Sequence, residues 1–249
     1  MSNTYFQFKQ FTIHQDRCAM KVTTDACLFG AWTGNEARGL IPIAIGTEVR
    51  NALDIGTGTG LLSLMIAQKN TKLIIDAIET DEDAAEQAAE NAEASPWEDR
   101  LKIIHADARK FSFQQQYDVI ISNPPFYENE LKADDKKKNV ARHSDDLSIA
   151  QLLRVIKNNL SPDGTFYLLL PYKRNDEVRK FLLENDLKIL KLVFVKQSVN
   201  HDYFRIMLKG KLNPDETTET TIDEMAITDE NGQYTATFKT MLSDYYLHL

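Results

Sequence analysis

The sequence of 249 residues is poor in cysteine, glycine and proline, with 2, 10 and 7 of them, and nowhere does it hold a long unbroken apolar run. Cys18 and Cys27 stand too far apart for a CxxC pair and have no nearby histidine cluster, which excludes a disulfide framework and a zinc site and points to a reducing compartment. Both are expected to be buried, inert thiols. So few glycines and prolines exclude a fibrous or low-complexity chain. The opening Met1-Ser-Asn-Thr-Tyr-Phe-Gln-Phe-Lys9 lacks a basic segment followed by an apolar one, and without some 18 consecutive apolar residues neither secretion nor membrane spanning is expected; the chain reads as cytoplasmic. Positive charge is also short, with 29 Lys and Arg against 37 Asp and Glu and a net charge of −8. That balance argues against coating nucleic acid through an overall field and leaves room only for a local basic patch.

What the sequence does hold is a regular alternation. With 43% apolar and 27% charged residues, it suits one α/β core with extensions. From about residue 51, short apolar runs alternate with helical patterns, the signature of βαβ units and a mostly parallel sheet. Seven strands are expected, at Asn51–Ile55, Leu73–Glu79, Leu101–His105, Tyr117–Asn123, Thr165–Leu170, Leu187–Val195 and Tyr203–Lys211. Ile149, Leu152, Leu153, Ile156 and Leu160 share a helix face, and Pro162-Asp163-Gly164 breaks that helix. Asn175-Asp176-Glu177 is suited to cap another. The short link Gln197–Asp202 predicts that the last two strands form an antiparallel pair. Residues 1–50 contain an aromatic start and a helix near Asp25–Trp32. Residues 212–249 contain an Asn231-Gly232 turn suited to a hairpin and a terminal helix from Phe238 to Tyr246. All 249 residues read as one domain, with core 51–211 between an N-terminal segment, 1–50, and a C-terminal extension, 212–249.

The first strand runs into Asp54-Ile-Gly56-Thr-Gly58-Thr-Gly60, followed by a helical Leu61-Leu-Ser-Leu-Met-Ile-Ala. Glycines let a backbone turn sharply and approach a ligand closely. The dinucleotide fingerprint G-x-G-x-x-G is not met, because Leu61 stands where its third glycine belongs. Asp54 would repel a pyrophosphate, whereas the sulfonium and amino group of S-adenosylmethionine (SAM) gain from a nearby carboxylate. Glu79 ends the second strand where a carboxylate can accept the ribose hydroxyls, with Asp81 as its rival. Asp107, after the third strand, is placed to hydrogen-bond the adenine amino group or to cap a helix. The pattern resembles the class I SAM-dependent methyltransferases. It implies a Rossmann-like sheet with an antiparallel C-terminal pair and helices on both faces.

The fourth strand ends in Ser122-Asn123-Pro124-Pro125-Phe126-Tyr127. Two successive prolines fix φ and hold the carbonyls before them rigidly. An amino group conjugated to a base is a poor nucleophile. The Asn123 side-chain oxygen and the Pro124 carbonyl can accept its two hydrogens and favour a pyramidal nitrogen, so that reactivity rests on orientation and electrostatics. Phe126 and Tyr127 offer faces on which a base stacks. The run resembles the N/D-P-P-F/Y/W motif of amino methyltransferases acting on adenine N6, guanine N2 or glutamine. The motif does not separate these substrates.

Phe8-Lys9-Gln10-Phe11, the stretch Asp16 to Trp32, Asn123–Tyr127, Ala141-Arg142-His143 and the ending Asp244-Tyr-Tyr-Leu resemble the bacterial tRNA1(Val) adenine-N6 methyltransferase family over nearly the whole chain. The resemblance implies a tRNA partner methylated at adenine 37 beside the anticodon and a monomer using SAM as cofactor; the transfer itself needs no metal, and the lack of long apolar runs predicts no membrane attachment. Lys21, Thr23 and Asp25, in a segment that resembles a family motif, would contact the methionine end of SAM or form a lid, with helix capping as the alternative. The densest basic stretch, Lys132 and Lys136-Lys137-Lys138 with Arg142 and His143, follows the Asn-Pro-Pro-Phe turn, where substrate phosphates would lie. A solvated loop is the plainer reading of that stretch. Guanine-N2 or protein-glutamine methylation, and a non-catalytic SAM-sensing RNA-binding protein, remain the rival functions.

Overall fold

In the computed structural model, residues 3–38, 50–124, 147–212 and 219–249 are described, so Pro125 to Tyr127 and the basic stretch through His143 lie outside the described residues. A small hairpin, β1 (Tyr5–Gln7) and β2 (Thr12–His14), precedes helix α1 (Thr24–Arg38). The core then alternates β3 (Arg50–Ile55), α2 (Leu61–Lys69), β4 (Leu73–Glu79), α3 (Glu82–Glu93), β5 (Leu101–His105), β6 (Tyr117–Ser122), α4 (Ile149–Asn159), β7 (Leu160–Pro171), α5 (Asn175–Glu184), β8 (Leu187–Ser198) and β9 (Tyr203–Leu212). Strand β10 (Thr221–Thr228) and helix α6 (Ala236–Leu242) follow.

Eight of these strands form one sheet in the order β10-β8-β9-β7-β6-β3-β4-β5. β9 alone runs antiparallel to its neighbours there, wedged between β7 and β8. The expected antiparallel pair is therefore present. The count is eight rather than seven because Thr221–Thr228 adds a parallel edge strand beside β8. Its mostly exposed, polar sequence carries no apolar alternation.

Other boundaries moved for physical reasons. Helix α4 ends at Asn159, before the Pro162-Asp163-Gly164 breaker. Residues 161–164 instead bulge out of β7 opposite Asp118, since Tyr117 pairs with Leu160 and Val119 with Thr165. A capping box of Ser148 and Gln151 starts α4. Asn175 lies inside α5, which grows out of a preceding 3-10 turn at Tyr172–Arg174 with no side-chain cap. The terminal helix ends at Leu242, short of Tyr246.

Apolar layers bury both faces of the sheet. α4 and α5 cover one face with Leu152, Leu153, Ile156, Val178 and Leu182. The other lies under α1, α2 and α6, including Phe29, Trp32, Met65 and Phe238. α1 is buried along Ala26 to Gly34, and it lies so close to α2 that a Cβ on Gly30 would sit 2.6 Å from the Met65 sulfur. The two flanks meet on this face: Phe8 bridges to Tyr246, Lys9 N–H donates to the Tyr245 carbonyl at 2.8 Å, and the Tyr245 hydroxyl donates to the Met65 carbonyl at 2.8 Å. Cys18 and Cys27 are free and buried, and burial lifts the Cys18 thiol to about 11. No helix among the described residues is long and apolar enough to cross a membrane.

Candidate active site

Parallel strands converge their carboxyl ends on a crevice, and the residues of interest gather there. Past β3 the chain turns through Gly56, Gly58 and Gly60 with φ of 71°, 55° and 81°, values that side-chain-bearing residues rarely adopt. A Cβ on Gly56 or Gly58 would meet nothing within 4 Å. Conformation, not crowding, requires glycine there, and the turn faces open space.

That space is a cavity of about 370 Å³. Gly56, Gly58, Glu79, Asp107, Asn123 and Pro124 line it, and Lys21 and Thr23 belong to the segment that roofs it. Asp54, Gly60 and Asp25 do not reach the lining. Asp54 is fully buried beneath the turn. One of its oxygens accepts from the Thr57 and Ser63 hydroxyls at 2.7 and 2.8 Å, while Oδ1 has no partner. Burial pushes its carboxyl up to about 6, and the two hydroxyls oppose that rise. Gly60 precedes α2 as its N-cap and packs against Ala88.

Glu79 is held by the backbone. Its carboxylate accepts from Gly58 N–H at 2.9 Å, Thr80 N–H at 2.8 Å and Asp81 N–H at 3.0 Å, which ties the glycine turn to the end of β4. A carboxylate offers about four lone-pair sites, so these three donors leave one. Asp81, the rival, caps α3 by accepting from Ala84 N–H at 2.9 Å. Asp107 is forked by Arg109, whose Nε and Nη2 each reach it at 2.8 Å, and this bond holds its carboxyl below the ordinary range. Asp107 lines the cavity as half of an ion pair rather than as a lone acceptor.

The roof is similarly engaged. Lys21 donates its ammonium to the Gln15 carbonyl, and Val22 N–H donates to the Gln15 side chain at 2.7 Å. Thr23 caps α1 through Ala26 N–H at 3.4 Å. Asp25 pairs with Arg205 of β9 at 2.8 Å. The capping alternative holds for Thr23, and Asp25 ties α1 to the sheet instead of facing the cavity. Arg17 pins the roof to α3 through Glu86 and Glu90.

Sequence reasoning missed four supports. Asn91, buried on α3, exchanges both backbone bonds with His14 at 2.9 Å and donates to the Thr59 carbonyl at 2.9 Å, so one amide joins α3, the glycine turn and the N-terminal segment. Ser63 and Arg109 hold the two aspartates. The buried Ser122 hydroxyl donates to the Ile55 carbonyl at 2.7 Å and fixes the end of β6, just before Asn123, against β3. The pair of Asn91 and His14, 77 positions apart, left no local signal; the i, i+2 spacing of Asp107 and Arg109 was the one clue available.

A buried carboxylate with an unpartnered oxygen under an open glycine turn fits a cationic, hydroxyl-bearing group such as SAM. Among the described residues no cluster of metal-binding side chains occurs. Residues 20–177 match the methyltransferase small domain family. A tRNA1(Val) (adenine(37)-N6)-methyltransferase of Christiangramia forsetii is 39% identical over the full length of both chains. One from Dyadobacter fermentans is 40% identical over 83% of this chain and 82% of its own. Among solved structures, a predicted O-methyltransferase of Agrobacterium tumefaciens aligns over 88% of this chain and 96% of its own with a TM-score of 0.63 at 13% identity. A glycopeptide N-methyltransferase complexed with SAM aligns over 74% and 94% with a TM-score of 0.52 at 11% identity; at these identities the likeness is one of fold. Strand order, glycine turn and length-wide similarity converge, and the chain belongs to the tRNA1(Val) (adenine(37)-N6)-methyltransferase family within the methyltransferase small domain.

Proposed function

We propose that the protein methylates the exocyclic N6 of adenine 37 in the anticodon loop of tRNA1(Val), with SAM as cofactor, as a cytoplasmic, metal-independent monomer of one domain. The observation that carries this reading is that Asn123 and Pro124, at the end of β6, line the same cavity as the glycine turn and Glu79. SAM, when bound, supplies a methyl group made electrophilic by a positively charged sulfur. Asp54, beneath the turn, stabilises positive charge above it. Glu79 offers its remaining lone pair to a ribose hydroxyl, and the Asp107–Arg109 pair borders the adenine end. Gly56 and Gly58 let the backbone approach, and Lys21 and Thr23 close the roof.

On the substrate side, the Asn123 side-chain oxygen and the Pro124 carbonyl accept the two N6 hydrogens and direct the nitrogen lone pair toward the methyl. Pro125 stiffens the turn. Phe126 and Tyr127 stack on the splayed base, and Lys136, Lys137, Lys138, Arg142 and His143 meet phosphates. Nucleoside mass spectrometry of tRNA1(Val) incubated with the protein and SAM tests the assignment. N6-methyladenosine at position 37 is expected. Methyl transfer to guanine N2 of rRNA or to a protein glutamine in its place would overturn it.

A further inference from the structure

Beyond the cavity, the same sheet edge carries an aromatic cluster that the reaction does not use. β9 runs against its neighbours, so its first residues lie beside the last residues of β7 and β8: Arg205 pairs with Pro171, and Tyr203 with Lys196. Tyr172, directly after β7, Phe194 of β8 and Tyr203 of β9 are thereby brought together. Their ring centroids lie 5.1 to 5.6 Å apart. Tyr172 is 38% exposed despite its size. The Lys196 ammonium sits over the Tyr203 ring, 4.8 Å from its centroid, and the Tyr203 hydroxyl donates to Glu224, which holds that ring in place. Lys173 and Arg174 follow Tyr172 and add positive charge, although Arg174 also pairs with Glu177 at 3.0 Å.

Ring faces interleaved with cations are the chemistry of single-stranded nucleic-acid binding, where bases stack and phosphates meet ammonium groups. The location agrees. β7 adjoins β6, whose end bears Asn123, and β9 and β8 follow in order. At about 4.8 Å per strand the cluster begins one strand from the catalytic turn, and its three rings, each 5.1 to 5.6 Å from the other two, make one compact patch beside it. In a chain of net charge −8, Lys196 sets a cation against these rings, with the Glu224 carboxylate held at their edge by the Tyr203 hydroxyl.

We propose that Tyr172, Phe194, Tyr203 and Lys196 form a stacking platform for unpaired nucleotides flanking the methylated base of the RNA substrate. The proposal rests on the tRNA reading above and extends it to a second contact surface. The platform positions the loop; it does not touch the reacting atoms.

The test is fluorescence anisotropy of a labelled anticodon stem-loop RNA with the full chain and with Tyr172→Ala, Tyr172→Phe and Lys196→Gln, alongside calorimetric SAM affinity and methylation kinetics. Tyr172→Ala should weaken RNA binding at least about fivefold and raise the KM for RNA, while Tyr172→Phe, which keeps the ring, stays within about twofold. Lys196→Gln should reduce the salt slope of binding by about one. SAM affinity should be unchanged in all three. Wild-type RNA affinity in Tyr172→Ala, equal losses in the Ala and Phe variants, a parallel loss of SAM binding, or failure of the wild-type chain to bind the loop would each overturn the platform. If the wild-type chain binds the loop with these variant effects but transfers no methyl to tRNA, the methylation reading falls and the platform stands. Methylation that is indifferent to Tyr172 removes the platform alone.

Discussion

The two halves of the sheet treat their polar groups differently. On the β3–β4–β5 side, Asp54, Glu79 and Asp107 are already engaged by donors of the chain itself: two hydroxyls, three backbone N–H groups and an arginine fork. On the β6–β7–β9–β8 side, the described edge presents Asn123, Pro124 and a cluster of rings, with Tyr172 exposed. The first half is organised before a ligand arrives, so little side-chain entropy is lost when the cofactor binds. On the platform proposed above, the second half is the surface that meets the RNA. Changes on the substrate side should therefore act on turnover or RNA affinity, and changes on the cofactor side on SAM affinity and stability.

The sharpest separation should come from Asn123→Ala. Loss of one oriented acceptor typically lowers kcat about 100- to 1,000-fold, and SAM affinity by calorimetry should hold within about twofold of wild type. A comparable loss of SAM binding would erase the distinction between the halves.

Asn91→Ala should act oppositely. It strips partners from the His14 N–H and carbonyl and the Thr59 carbonyl, at a cost of about 1–3 kcal/mol in stability. Chemical denaturation should show that loss. The KM for SAM should rise, with kcat at saturation nearly preserved, because the roof and the glycine turn lose their common tie.

Asp54→Asn tests the buried charge through pH. The Asp54 carboxyl titrates near 6 in the fold against an ordinary 3.8, so between these values the folded chain holds a proton that the unfolded chain has released. Stability therefore declines as pH rises from about 4 through about 6. A bound cation favours the carboxylate, so SAM affinity should weaken as pH falls through about 6. The amide that replaces the carboxyl cannot titrate, and both pH dependences should flatten in the variant, as read by calorimetry and thermal melts across pH 4 to 8.

Arg109→Ala should have the smallest effect, a change in SAM affinity below about fivefold, since it removes the guanidinium fork and its charge while the backbone N–H at position 109 keeps its bond to Asp107 Oδ1. The Asp107 carboxyl should then titrate closer to its ordinary value, visible by NMR.

Much of this architecture was legible because strands buried on both faces read as apolar runs. β4 and β6 fell where those runs predicted, the latter to within one residue. The misses share a cause. β10 is a polar edge strand, visible only in its pairing with β8. α1 is buried along most of its length and has no polar stripe to mark its limits, so its helix was read too short. Gly56, Gly58 and Glu79 stood out by spacing and Asn123 and Pro124 by their motif, and all five line one cavity. Asp25 and Asp54 did not reveal whether they face the cavity, because a partner such as Arg205 lies 180 positions away.

The seam between the chain's two flanks has a consequence for biosynthesis. Lys9 docks on Ser243, 234 positions later, and at about 5–20 residues per second some ten to fifty seconds separate their synthesis. The β1–β2 hairpin is synthesised long before Tyr246, the aromatic ring of the other flank that Phe6 and Phe8 pack against. A nascent chain therefore has all its sheet strands made before the segment over the glycine turn can be pinned from both sides.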